Sequence, residues 1–188
     1  RDETVVVFVS DNGGTINTYS NNTPLRGYKY MFGEGGIRIP QIVRWPTRID
    51  PGTECSVPVS SVDFFPTLCE VAGVPLPSDR PIDGKSLVPL LMGEGDLDRE
   101  ALFWHFPHYH GSGNRPSGAV RVGRWKLVEW FESGDVELYD LETDPMEELN
   151  LMAAEPARAR ALLDRLRAWR GEVGANMPRH DTPSLPLP

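Results

Sequence analysis

Cysteine is nearly absent from this sequence, with only Cys55 and Cys69 among 188 residues. Neither belongs to a Cys-x-x-Cys pair, which excludes a disulfide framework and a cysteine zinc site. Lysine is also scarce, three residues against 16 arginines, and acidic residues outnumber basic ones by 27 to 19. A net charge of −8 without a basic cluster excludes a nucleic-acid partner, which needs many phosphate contacts. No apolar run approaches the roughly 18 residues of a membrane span, so none is expected. What remains, 39% hydrophobic and 24% charged, is an ordinary globular composition, long enough for a substantial core.

The chain opens Arg1-Asp2-Glu3, without Met, and enters the apolar run Thr4-Val5-Val6-Val7-Phe8-Val9 three residues later. That start is expected of a piece of a longer protein. The run is continuous and not alternating, which predicts a strand buried on both faces of a parallel, helix-covered sheet. Ser10 to Gly14 is turn chemistry, and 15–40 shows no periodicity, an irregular stretch of the kind that serves a site. Gln41 to Trp45 reads as a second buried strand, and Ser60-Ser61 caps a helix from Val62 to Ala72, stopped by Gly73. Ser86 to Met92 reads as a short helical segment. Beyond residue 95, Ala101–His105, Gly118–Val122, Trp125–Phe131 and Asp135–Asp140 read as short strands, the last two joined at Ser133-Gly134.

A final helix spans Ala157 to Val173, with Leu162, Leu166, Trp169 and Val173 on one apolar stripe and the arginines on a solvated face. The organisation expected is α/β: residues 1–95 as part of an α/β core, 96–176 as a small α+β domain, and 177–188 as an irregular tail. In the second domain about four antiparallel strands pack on the C-terminal helix.

Several residues could carry chemistry. Asp11 and Asn12, at the C-terminal edge of a strand, offer two hard oxygen ligands for Ca²⁺, or less well Mg²⁺. Ca²⁺ takes six to eight oxygens, and no second acidic cluster lies at a plausible spacing, so further ligands are expected outside this sequence. An Asx turn ending the strand is the alternative. Lys29, alone before Lys85, suits an anionic oxygen that needs a compact ammonium and not an arginine fork, with an ordinary surface lysine as the alternative. Glu34 and Arg38 are expected to form a structural ion pair. Trp104 to His110 gathers His105, His108 and His110 among aromatics; zinc, a sugar-facing pocket rim and plain aromatic packing are all open to it.

Taken together and in order, these motifs carry a resemblance. Ser10-Asp11-Asn12-Gly13, then Lys29 and Glu34-Gly35-Gly36-x-Arg38-x-Pro40, resemble the second half of the sulfatase family. Val62-Asp63-Phe64-Phe65-Pro66-Thr67-Leu68, Asp83-Gly84-x-Ser86-Leu87-x-Pro89-Leu90-Leu91 and Leu138-Tyr139-Asp140-Leu141 are similar to its later segments. The resemblance implies the C-terminal part of an alkaline-phosphatase-like α/β core plus a small antiparallel domain. It implies hydrolysis of sulfate esters by a formylglycine nucleophile beside Ca²⁺, with a sulfated small molecule or glycan as substrate in a periplasmic or secreted setting. Asp11 and Asn12 then stand as metal ligands, Lys29 as the catalytic contact to sulfate oxygens, and His105, His108 and His110 as substrate-pocket residues.

The Cys/Ser-x-Pro-x-Arg precursor of formylglycine is missing: Cys55-Ser56-Val57-Pro58 has its proline one place late, and Cys69-Glu70-Val71 has none. The chain alone is therefore expected to be inactive and to need the N-terminal portion of the same protein. Two other readings stand beside this one. One is a phosphatase or phosphonate hydrolase of the same superfamily. The other is a non-catalytic carbohydrate-binding domain presenting Trp104, His105, His108 and Tyr109.

Overall fold

The computed structural model describes residues 2–15, 19–111 and 113–178, so part of the expected tail, 179–188, lies outside the described residues. The described residues form two compact units, one of residues up to Val9 with Pro40–Glu100, the other drawn from Ser10–Ile39 and from Ala101 to Pro178. The division expected near residue 95 thus differs in one respect: 10–39 packs with the C-terminal strands.

In the first unit, β1 (Val6–Val9) pairs antiparallel with β2 (Gln41–Arg44), Val6 opposite Arg44. The predicted buried parallel strand is corrected here. Among the described residues β1 has β2 as its one neighbour, and Phe8 is 63% and Ile42 62% exposed. A continuous apolar run reports faces that can be covered; it does not name the partner strand or the covering helices.

The motif around Asp63 has a structural explanation. A 3₁₀ turn, Ser61–Asp63, leads into the helix Phe64–Val71, and Ser60 and Asp63 cap each other reciprocally. Asp63, fully buried, accepts the backbone N–H groups of Ser60 (2.8 Å) and Lys85 (2.9 Å) and pairs with Arg99. Thr67 Oγ1 donates to Asp63 O at 2.6 Å and accepts from Leu87 N at 2.8 Å. A β-carbon on Gly84 would stand 2.0 Å from Val62 O, so glycine is needed where this segment crosses the helix start. The motif's Asp, Thr and Gly therefore fasten the 83–87 segment, which leads into a short helix at Val88–Leu91.

The second unit follows from period-two alternation. Four strands, β3 (Leu102–Phe106), β4 (Ser117–Val122), β5 (Trp125–Trp130) and β6 (Val136–Asp140), form an antiparallel meander. Gly134 turns β5 into β6 with a φ of +72°, where glycine is at ease. On one face, Val120, Leu127 and Leu138 are fully buried against Ala159, Leu162 and Leu166 of the helix Pro156–Glu172. Complete burial of each such leucine contributes about 1.5–3 kcal/mol. On the other face, Ala119 and Val128 pack with Phe32 of the 10–39 segment. The sheet is covered on both sides, once by a helix and once by irregular chain.

The helix departs from the expectation at two places. Arg170 stands eight residues after Leu162 and four after Leu166, so it faces the sheet and is buried. It pairs with Glu129, which also accepts from Arg167 at 2.6 Å. Val173 follows the last helical turn and is half exposed.

Candidate functional site

The turn 11–14 and the glycine pair at 35–36 interlock through backbone. Gly13 N donates to Gly36 O at 3.0 Å, and a β-carbon on Gly13 would lie 1.8 Å from Gly35 O. Lys29 N donates to Gly14 O at 3.0 Å, and the Asn22 side chain brackets Gly14, accepting from its N–H and donating to its carbonyl, both at 3.0 Å. The Asp11-Asn12 turn and the Lys29 segment are thereby tied into one substructure. Asn22, the clamp, carried no signal beyond being an Asn in a loop.

Asp11 is exposed, and Asn12 is partly buried with its Nδ2 donating to Gly13 O at 2.9 Å, which leaves its Oδ1 available. Their chemistry fits a hard divalent cation, but their number does not complete a site. No group of three or more His, Cys, Asp or Glu side chains assembles a metal site among the described residues.

Lys29 is partly buried, and its Nζ lies 5.3 Å from the centroid of the Tyr30 ring. Tyr30 stacks on His110 with centroids 3.6 Å apart and planes at 24°, so Lys29 and His110 meet around one aromatic ring. His108 is exposed on the same loop, its ring edge-on to Phe106. His105 is separated from both. Alternation along β3 sets it on the face of Phe103, which stacks on Trp169 of the C-terminal helix. Its Nε2 lies 2.8 Å from Asn176 O, so that nitrogen donates to the carbonyl.

Beneath this substructure lies a buried charge cluster. A short helix, Glu34–Ile37, presents Glu34, 2% exposed, to Lys126 Nζ of β5 at 2.8 Å. Lys126 also meets Glu147 at 2.9 Å, and Glu147 accepts Glu34 N at 2.7 Å. The Glu34–Arg38 ion pair expected from spacing is corrected: Glu34 takes Lys126, and Arg38 gives it only a backbone hydrogen bond of 2.7 Å. Strand alternation aims Lys126 at the 10–39 segment while Glu129, three residues on, faces the helix.

A second tie joins Arg26 to β6. Arg26 pairs with Glu137 at 3.0 Å, and Glu137 accepts also from Trp130 Nε1 (3.0 Å) and the Tyr139 hydroxyl (2.9 Å). Burial pushes the Glu137 carboxyl up, but Arg26 with the two neutral donors outweighs it and holds the group below the usual glutamate range. Burial, then the neighbouring carboxylate, pushes the Tyr139 hydroxyl up against the opposing pull of Arg26. A depressed carboxyl stabilises the fold above its unfolded value, about 4.3, and loses that contribution as pH falls through the folded value. Glu137→Gln should therefore unfold at lower urea than wild type at pH 7, with the gap closing as pH falls below about 4. An equal gap at pH 7 and pH 3 would remove the ionised pair from the account.

No helix among the described residues is long and apolar enough to cross a membrane. The family model described as N-sulphoglucosamine sulphohydrolase, C-terminal, matches residues 27–169. A sulfatase of Formosa agariphila is 38% identical over 183 residues, which cover 89% of this chain and 33% of that protein. The chain thus spans about a third of that curated relative's length. Among solved structures, BT4656 in complex with its substrate D-glucosamine-2-N,6-O-disulfate superposes with a TM-score of 0.77 at 28% identity, covering 96% of this chain and 37% of its own. The phosphonate monoester hydrolase of Agrobacterium radiobacter gives 0.67 at 28% identity, covering 91% of this chain and 36% of its own.

Proposed function

From the premise that this chain belongs to the sulfatase family, matching its N-sulphoglucosamine sulphohydrolase C-terminal region, we propose that it is the C-terminal portion of an enzyme hydrolysing the sulfate groups of a sulfated carbohydrate. The observation that carries this is the interlock: one carboxylate, one amide oxygen and one ammonium stand on segments hydrogen-bonded through Gly14 and Gly36. Hard oxygens and a lysine on a common frame suit an anionic sulfuryl group held between cations.

The roles follow from the chemistry of each group. Lys29 contacts the sulfate oxygens as a point charge. Asp11 and Asn12 supply two of the oxygens that would hold Ca²⁺, or less well Mg²⁺, and the remainder of the protein supplies the others. Such a cation, when bound, offsets charge on the sulfuryl oxygens. His108 and His110, exposed on the β3–β4 loop, approach the sugar, while His105 is committed to Asn176 O on the other face of the sheet. The nucleophile, a formylglycine by resemblance, has no precursor motif in these 188 residues. This chain therefore contributes binding and charge, and turnover needs the rest of the protein.

The likeness to a phosphonate monoester hydrolase supports a second reading, hydrolysis of a phosphonate or phosphate monoester. One experiment separates the two. The full-length protein, supplied with Ca²⁺, is incubated with glucosamine-2-N,6-O-disulfate and, separately, with a phenylphosphonate monoester. Release of inorganic sulfate at the greater kcat/KM is expected. Phosphonate turnover without sulfate release sinks the sulfatase reading.

A further inference from the structure

Tyr30 has a φ of +76°, a conformation that a residue with a β-carbon adopts only when its surroundings impose it. Glycine would take that conformation freely. The tyrosine brings a ring instead. That ring stacks on His110, while Lys29 Nζ lies 5.3 Å from its centroid, within cation–π range. The loop behind His110 is itself closed, by the bridge from His110 to Asn114 and by the buried Asn114 side chain donating to His108 O at 3.3 Å. The Lys29 main chain is fixed independently by Gly14. A backbone tie leaves a flexible four-carbon stem free to sweep its ammonium. The neighbouring ring narrows that sweep.

We propose that Tyr30 is a positioning residue: braced by His110, its ring confines the Lys29 ammonium to the place where an anionic sulfuryl oxygen binds. The proposal rests on the reading of Lys29 as the oxyanion contact. It also assigns the strained backbone a purpose, since the turn at residue 30 delivers the ring to the His110 loop.

The test measures affinity of the full-length protein for inorganic sulfate by titration calorimetry, with the melting temperature recorded for each variant. Lys29→Ala should weaken sulfate binding by at least about tenfold, the loss of one charge-assisted hydrogen bond. Tyr30→Gly and His110→Ala should each weaken it by about three- to tenfold. Tyr30→Gly should melt close to wild type, because the backbone strain that glycine relieves offsets the stacking on His110 that it loses. His110→Phe, which keeps a stacking ring, should bind within twofold of wild type. If Tyr30→Gly binds as wild type while Lys29→Ala fails, Lys29 keeps its role and Tyr30 loses this one. If Lys29→Ala binds as wild type, both readings fall. If His110→Phe is as weak as His110→Ala, the imidazole acts through its N–H on the anion, and the stacking role is overturned.

Discussion

Replacing Lys29 by alanine in the full-length protein should lower kcat/KM for sulfate release at least about 100-fold, with the melting temperature nearly unchanged. Removing one preorganised donor from developing charge costs about 3–4 kcal/mol, and each 1.4 kcal/mol is tenfold in rate. Lys29 is partly buried, and its backbone is held by Gly14 and not by its own side chain. Deleting the ammonium thus leaves the interlock of Gly13 with Gly36 in place, which is why stability should survive.

Arginine at the same position is the sharper control. It restores the charge but brings a planar fork, bulkier and differently directed than an ammonium. Lys29→Arg should recover about tenfold or less of the loss. Kinetics within twofold of wild type for Lys29→Ala would take Lys29 out of the site. The sequence already hinted at this selectivity, since only three of 19 basic residues are lysines. Two of those three, Lys29 and Lys126, stand in this unit, one in the proposed site and one beneath it.

How much of the structure is legible in the sequence depends on which interactions are local. The meander was readable because its strands alternate with period two and its turns carry glycine; each strand lies within two residues of its predicted range. The C-terminal helix was readable from Leu162 and Leu166. Arg170 was misplaced because a stripe read from apolar residues alone omits a charged residue at the same helical spacing. The environment of β1 was not readable, since Val6 to Val9 carry no mark of their partner strand. The spacing of Asp11-Asn12-Gly13, Lys29 and Glu34-Gly35-Gly36 was the informative signal, and close backbone approach explains it. Gly13 meets Gly35 because neither carries a side chain there. Tyr30 and Asn22 carry no such signal, for the opposite reason. A tyrosine does not advertise positive φ, and an asparagine that clamps Gly14 resembles any loop asparagine. Glu34 found its counterion 92 residues away, a distance that no local pattern reports.

That long-range pair leads to the largest expected loss of stability. Lys126→Ala should destabilise the chain by about 3–5 kcal/mol, the usual consequence of leaving buried charge without its partner. Lys126 is fully buried between Glu34 and Glu147, both carboxylates lie out of water, and without Lys126 only the longer contacts to Arg121 (4.0 Å from Glu34) and Arg26 (3.6 Å from Glu147) remain. Total stabilities are about 5–15 kcal/mol, so the variant should unfold at much lower urea in a titration followed by tryptophan fluorescence. Trp125 and Trp130 flank the site on β5 and report on this unit directly. A change below about 1 kcal/mol would mean that water or a rearrangement satisfies the carboxylates. Neutralising the set together separates lost attraction from stranded charge. Lys126→Met combined with Glu34→Gln and Glu147→Gln should recover more than about 1 kcal/mol relative to Lys126→Ala, because neither buried carboxylate remains, while Arg26 and Arg121 keep part of their guanidinium in water. Glu34 opens the helix whose Gly36 carbonyl anchors Gly13. Loosening it frees the frame that holds Asp11, Asn12 and Lys29. Lys126→Ala should therefore lower sulfate affinity as well, although Lys126 itself is too deeply buried to touch an anion.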